Sequence, residues 1–293
     1  MAEPIVCAVT VNWNRAGDTL ACIDSLVHQE GLAPHIIVVD NASSDDSVDR
    51  IRQAYPQVEL IRSETNRMFG GGNNLGIRRA LEAGADTVFL INNDATLAPD
   101  GLAKLLACAA PDVGILSPLI YYASRPEVIW SSGGRTNPWT LEKTDGAHDR
   151  PDPGGWPTAV EQDFVTGCGM LISRQALEQV GLFDEGFLHY YEDSDLCWRM
   201  RRAGLRILLV PAAHMWHKVA VSSGGSDSPD ERYWMARSSI RFFRKHARGL
   251  QKPLVACWRA GSALRTSLRL ARNGKTAALR AYWRGLKDGL AER

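Results

Sequence analysis

With 293 residues, 45% of them apolar and 23% charged, the chain has material for one large α/β domain or a domain with an appendage, and disorder is excluded as the default state. Its six cysteines are scattered without a C-x-x-C pair, no run of about 18 apolar residues occurs, and the N-terminus lacks a basic stretch followed by an apolar one; disulfides, membrane spanning and secretion are therefore not expected. The net charge of +1 hides an asymmetry, since residues 232–293 hold 16 Lys and Arg against 2 Asp and Glu, a local +14 that leaves −13 on residues 1–231.

Residues 5–11 read as a first strand, and Asp18 as the cap of a helix to about Gln29 with Leu20, Ile23, Leu26 and Val27 on one face. A second strand at 36–39 stops at Asp40. A helix then runs from Asp45 or Asp46 to about Tyr55, a third strand covers 58–61, and a third helix covers 73–83, ended by Gly84. A fourth strand at 87–91 leads into Asn92-Asn93-Asp94, followed by a helix over 99–109 and a strand at 113–116. This alternation implies an α/β fold with a mostly parallel, doubly wound central sheet and flanking helices. Residues 1–118 form its nucleotide-binding half.

Between 121 and 162, Pro, Gly and three Trp residues break every period, and an irregular excursion is expected. Regular structure resumes at 164–165 and 170–173, followed by helices over 174–180 and from Glu192 to Ala203 and a last strand at 206–210. Residues 222–226 read as a mobile loop. From Pro229 the chain is helical and basic, with Asn273-Gly274 separating two amphipathic helices. The expected division is a catalytic domain over 1–228, whose second half is 119–228, and a basic helical extension over 229–293.

Asp94, with the amide of Asn92 beside it, stands where a buried parallel strand delivers side chains to a ligand-binding rim, and offers hard oxygens to Mg²⁺ or Mn²⁺. An Asx turn into the next helix is the plainer alternative. Asp40, at another strand end, suits a ribose hydroxyl or a base N–H, or else caps the following helix. Gly70-Gly71-Gly72 with Asn73 and a helix N-terminus suits a diphosphate, although neither a dinucleotide fingerprint nor a Walker lysine is present. Glu192, Asp193 and Asp195 follow Tyr190-Tyr191. Adjacent carboxylates in a partly buried site make one of them a general base, and Asp193 is the choice, with Glu192 orienting the acceptor or holding the loop. Acids in the first turn of a helix also complement its dipole. His217 could complete a metal site or touch phosphate, and Lys218 adds a cation for a departing diphosphate.

Taken in order and spacing, Val9-Thr10-Val11-Asn12-Trp13-Asn14, Val38-Val39-Asp40-Asn41-Ala42-Ser43, Asn66 through Gly76, Asn92-Asn93-Asp94, Gly167-Cys168-Gly169-Met170, Glu192 through Arg199 and His217-Lys218 resemble glycosyltransferase family 2. These are inverting enzymes of the GT-A fold, and the likeness is greatest to the bacterial rhamnosyltransferase-like branch. The resemblance implies a metal-dependent hexosyltransferase of polysaccharide biosynthesis, moving sugar from a nucleoside diphosphate donor, by family likeness dTDP-rhamnose, to a hydroxyl of a cell-surface glycan or lipid-linked precursor. It assigns nucleotide-sugar binding to Asn12, Asp40, Asn66, Gly71, Gly72, Asn73, Asn93 and Lys218, a divalent cation, Mg²⁺ or Mn²⁺, to Asp94, Asn92 and His217, and acceptor chemistry to Asp193 and Glu192. Asn92 departs from the family's usual Asp-x-Asp and is a weaker, neutral ligand.

A sugar nucleotidyltransferase is a rival, opposed by the lack of an Arg- and Lys-bearing glycine loop after the first strand. A non-catalytic module binding nucleotide, RNA or lipid is another. No nucleic-acid partner is expected, and a homo-oligomer stays open. Trp and Leu recurring at helical spacing among the basic residues of the tail suit an anionic bilayer surface, which places the protein in the cytoplasm, peripheral on the inner face of the membrane. Helices packed on the catalytic domain are the alternative for the tail.

Overall fold

The computed structural model describes residues 4–219 and 227–292. The loop expected at 222–226 lies outside the described residues. In chain order the elements are β1 (Val6–Asn12), α1 (Ala16–Val27), β2 (His35–Asp40), α2 (Ser47–Ala54), β3 (Glu59–Arg62), α3 (Met68–Glu82), β4 (Thr87–Ile91), β5 (Ala95–Leu97), α4 (Gly101–Leu106), β6 (Val113–Tyr122) and β7 (Arg125–Ser131). There follow β8 (Gly134–Thr136), β9 (Lys143–Asp145), β10 (Arg150–Pro151), β11 (Val160–Gln162), β12 (Gly169–Ser173), α5 (Arg174–Val180), α6 (Glu192–Arg202), β13 (Arg206–His217), α7 (Pro229–His246), α8 (Gln251–Arg272) and α9 (Thr276–Ala291). The chain divides into two compact units, Met1–Arg135 with Asp145–Glu185 and Asp193–Val219, and Thr136–Thr144 with Gly186–Glu192 and Ala220–Arg293.

The first unit holds the large sheet. Along β3-β2-β1-β4-β12-β6-β13 every strand points the same way except β12, which is antiparallel to both β4 and β6. Successive residues of a strand face opposite sides, so β1 and β2 feed two cores. Val6, Ala8, Ile36 and Val38 pack with Ile23 and Leu26 of α1 on one side. Cys7, Val9, Ile37 and Val39 pack with Ile77 of α3 and Met200 of α6 on the other.

Three differences from the sequence reading matter for function. Helix α3 begins at Met68, so Gly70-Gly71-Gly72 lies inside the helix instead of before it. Those glycines let the helix approach β1. A Cβ on Gly72 would stand 2.9 Å from Val11 Cγ1, and one on Gly76 would overlap Val9 Cγ1. The final strand also does not stop at Val210. It passes Pro211 by shifting register between Val210 and His214 and stays paired with β6 as far as His217, a bulge being where a sheet admits proline. Lastly, the excursion expected over 121–162 contains short strands. β7 pairs with β6, β10 with β7, and β11 with β13. Pro126 and Pro151 lie on these peripheral strands, which is why no long period announces them.

The second unit is helical. Ala236 of α7, Ala263 and Leu270 of α8, and Ala278, Tyr282 and Leu286 of α9 form its core. α7 and α9 approach closely because Gly285 and Gly289 face backbone; a Cβ on Gly289 would lie 2.8 Å from the Arg237 carbonyl oxygen. At its N-terminal end Asp227 accepts from Arg269 Nη1 and Nη2 at 2.6 and 2.9 Å, with Arg232 Nε at 3.2 Å and Lys275 Nζ at 3.5 Å. The Arg269 hydrogen bonds, aided by the Arg232 and Lys275 charges, outweigh burial and pull the Asp227 carboxyl down to about 2.

Two outcomes follow from the packing. Gly76→Ala should cost about 1–3 kcal/mol in urea unfolding, because Val9 has no room to retreat, whereas Gly17→Ala, with nothing within 4 Å of the added Cβ, should be neutral or mildly stabilising. Asp227 has a folded pKa below its unfolded value, so its contribution is present above about pH 4 and disappears as pH falls toward 2. Asp227→Asn should therefore lower stability at pH 7 by about 1–3 kcal/mol, and the deficit should close across that acid window in pH-dependent unfolding.

Candidate active site

Parallel strands bring the carboxyl ends of β1, β2 and β4 to one edge, where open α/β sheets hold ligands. A buried polar chain runs along that edge. Asn93 Nδ2 donates to Thr19 Oγ1 at 3.0 Å, Thr19 Oγ1 donates to Asn12 Oδ1 at 2.7 Å, and Asn12 Nδ2 donates to Asp40 Oδ1 and Ser43 Oγ, each at 3.0 Å. The Ser43 amide closes on Asp40 Oδ2 at 3.2 Å. Asn12, Thr19 and Asp40 are fully enclosed, so Asp40 holds the 41–44 loop in place rather than presenting a bare carboxylate. Asn41 Nδ2 donates to Asn66 Oδ1 at 3.0 Å, and Asn66 Oδ1 also receives the Met68 amide at 2.8 Å.

The glycine run does not form the expected cradle. A helix that starts at Met68 commits the amides of Gly71 and Gly72 to its own ladder. Asn73 is buried, and its Nδ2 donates to the Phe69 carbonyl at 3.0 Å.

Asp94 meets His217 because β13 continues past its bulge and pairs His217 with Ala95. His217 Nε2 lies 2.9 Å from Asp94 Oδ1, both side chains being nearly enclosed. Burial opposes ionisation of Asp94, but the His217 hydrogen bond and charge, with help from Arg15, prevail and hold its carboxyl below the usual range. The imidazole stands against the Trp130 ring, centroids 4.4 Å apart, and its buried Nδ1 has no hydrogen-bond partner. Asn92 is half-buried, its amide donating to the Cys168 carbonyl at 3.0 Å. Lys218 donates through its main-chain amide to the Asp94 carbonyl at 3.0 Å and through Nζ to Asp18 at 2.6 Å. Asp18 is thus an ion partner of Lys218 and not a helix cap; the N-cap of α1 is Arg15. Among the described residues no three His, Cys, Asp or Glu side chains gather as a ready metal cage. The pair Asp94 and His217 does fit a cation that draws its remaining ligands from a bound diphosphate, the habit of Mg²⁺ at phosphate sites.

Asp193, half-buried, receives the Gly167 amide on Oδ2 at 3.2 Å and the Ser194 amide and hydroxyl on Oδ1 at 2.6 and 3.0 Å. A Cβ on Gly167 would lie 2.8 Å from Phe69 Cζ, so any side chain there requires that ring to move. The same short loop takes the Asn92 amide on the Cys168 carbonyl, so residues 166–168 tie the Asn92–Asp94 turn to Asp193. Asp195 is a framework acid. It binds Arg199 Nε at 2.8 Å, and Arg199 caps the carbonyls of Val180 and Leu182. Glu192 opens α6 and is buried, preceded by Tyr190 and Tyr191 with φ of 64° and 70°, a rare conformation for bulky residues. Arg15, Thr19 and Trp130 are site residues that sequence reasoning missed, while Ser43 and Gly167 lay within family-like motifs without being given a role.

The open α/β sheet with acidic turns at its rim has the GT-A fold of the solved structures it superposes on, and residues 7–181 match the family model described as Glycosyl transferase family 2. The chain belongs to that family and is a glycosyltransferase that uses nucleotide-sugar donors. It is 29% identical over 259 residues to the N-acetylglucosaminyl-diphospho-decaprenol L-rhamnosyltransferase of Mycobacterium tuberculosis, covering 80% of this chain and 82% of that one. It is 31% identical over 203 residues to the low-salt glycan biosynthesis hexosyltransferase Agl10 of Haloferax volcanii, covering 68% and 62%. Among solved structures, the mannosyltransferase PcManGT from Pyrobaculum calidifontis in complex with GDP-Man and Mn²⁺ superposes with a TM-score of 0.58 at 19% identity, over 99% of this chain and 86% of that one. GalNAc-T7 with UDP, GalNAc and Mn²⁺ superposes with a TM-score of 0.60 at 17% identity, over 81% of this chain but 51% of the other.

Thr19→Val should break the bridge between Asn93 and Asn12 and lower stability by about 1–3 kcal/mol, while Thr19→Ser, which keeps the hydroxyl, should lose much less. Thermal melts of the three proteins compare them.

Proposed function

We propose that residues 1–228 form a catalytic domain, with nucleotide-binding and acceptor halves meeting near residue 118, that transfers a rhamnosyl-type sugar with inversion. The acceptor is a hydroxyl of a lipid-linked or growing glycan. The observation that carries this reading is that one loop, residues 166–168, bonds both Asp193 and the main-chain amide of Asn92, two residues before the Asp94 that pairs with His217. The M. tuberculosis relative, an N-acetylglucosaminyl-diphospho-decaprenol L-rhamnosyltransferase, supports the sugar and acceptor classes. The Mn²⁺ in both superposed structures supports a divalent cation, Mn²⁺ or Mg²⁺.

Each residue has a physical task. Asp193 is held at both oxygens by N–H and O–H donors, which fixes its orientation and leaves lone pairs to take the acceptor's proton as the hydroxyl attacks the anomeric carbon. Asp94 and His217 would hold the cation, with the Asn92 side-chain oxygen as a neutral auxiliary. When bound, the cation stabilises negative charge on the departing diphosphate. Lys218, released from a surface pair with Asp18 that is weak in water, adds a second positive charge there. Asn12, Asp40 and Ser43 shape the loop that meets base and ribose, steadied by Asn66 and Asn93. Glu192 positions the backbone entering α6.

Asp193→Asn should retain the rise in melting temperature given by donor with Mn²⁺ yet lose at least 100-fold in kcat, the scale of general-base assistance. Transfer within threefold of the parent would remove Asp193 from the role, and a non-catalytic binding module would be indifferent to the change. Asp94→Asn, or chelation by EDTA, should instead abolish the metal-dependent part of donor stabilisation.

A further inference from the structure

Helix α8 carries two apolar faces, and only one is used. Val255, Ala263 and Leu270 are buried in the helical unit. At the helix's start and along its opposite side, Leu250, Leu254, Trp258, Leu264 and Leu268 are exposed by 88, 43, 41, 61 and 48%. Their spacings of four, four, six and four residues hold them within one broad stripe. The stripe runs from the N-cap of α8 to within a turn of its end, about 27 Å at 1.5 Å per residue. Five bulky apolar side chains in one row are far more than scattered surface residues require.

Charge identifies what covers them. Between Gln251 and Arg272 there are five Lys and Arg and no Asp or Glu. Arg259 and Arg269 are tied to Glu142 and Asp227. Lys252 and Arg272 are exposed, and Arg265 lies over the Trp258 ring at 5.4 Å, a cation beside an aromatic anchor on the stripe itself. A second copy of the chain would bring like charge against like charge across a self-complementary face. An anionic bilayer removes both costs, taking the Leu and Trp side chains into the acyl boundary while its headgroups meet the guanidinium and ammonium groups. Trp283 and Leu290 on α9 are likewise exposed, beside Lys287. No helix among the described residues is long and apolar enough to cross a membrane, which leaves lying in the interface as the mode.

We infer that the Leu250–Leu268 stripe of α8 is an interfacial surface that seats the protein on an anionic lipid bilayer. This deepens the reading of a lipid-linked acceptor, but the surface stands on its own physics. Cys257 lies among the stripe residues and is the one exposed cysteine among the described residues, so the full chain can be labelled there with an environment-sensitive fluorophore. With vesicles of phosphatidylglycerol and phosphatidylcholine the label should shift to the blue and unlabelled protein should co-sediment. Pure phosphatidylcholine should give neither at the same lipid concentration. The triple variant Leu254→Gln, Leu264→Gln, Leu268→Gln should melt normally, keep transfer to a soluble acceptor and bind anionic vesicles at least tenfold more weakly. Unchanged vesicle binding by that variant would overturn the inference. So would a blue shift without lipid accompanied by a doubled mass in light scattering, which would make the stripe an interface between copies. Loss of transfer to the soluble acceptor in the parent would count against the catalytic reading and leave the vesicle result standing.

Discussion

The loop over residues 166–168 is the constraint on which the site depends. Its Cys168 carbonyl takes the Asn92 main-chain amide and its Gly167 amide goes to Asp193, so the turn that carries Asp94 and the acid at 193, nearly a hundred residues apart in sequence, meet one short piece of backbone. Backbone partners suit this task because a peptide group has no rotamers to lose. Glycine at 167 suits the same closeness, since a Cβ there would press on the Phe69 ring.

Around that loop the rim is organised by two kinds of contact. At the ends of β4, β1 and β2 a run of hydrogen bonds from Asn93 through Thr19 and Asn12 to the Asp40 carboxylate stiffens three strand ends without exposing charge. In such an enclosed place each partner left unmatched would be costly, so the network specifies one arrangement of the loop. Around Lys218 the contacts are ionic and partly exposed, as in its pair with Asp18, and so can be exchanged for a ligand. In the proposed reading, rigidity thus lies on the side of the base and exchangeable charge on the side of the leaving group.

Much of the scaffold was legible because its signals are local. The strand at 87–91 and the helix at 174–180 match the sequence reading residue for residue, the helix being capped by Ser173, which receives the Ala176 amide. The nucleotide-binding half announced itself by alternation, since strands buried on both faces are continuous apolar runs. What failed was non-local. Pro211 looks like a strand breaker until β6 is seen to hold the chain through a bulge, and only that continuation carries His217 to Asp94. Gly70-Gly71-Gly72 looks like a phosphate loop until Val11, pressed against Gly72, shows why the helix takes glycine there. Asp18 has the chemistry of a cap, yet its partner Lys218 is 200 residues away. The acids at 40, 94 and 193 could be named from sequence, but which of their oxygens were already engaged could not.

Gly167→Ala tests the account most directly, read as single-turnover transfer at saturating donor beside the donor-induced rise in melting temperature. If the 166–168 loop sets Asp193 against the donor site, the added methyl, 2.8 Å from Phe69 Cζ, should push the loop and the ring apart, cutting transfer at least tenfold while donor binding persists. Transfer at the parental rate in a protein that carries the methyl would contradict it.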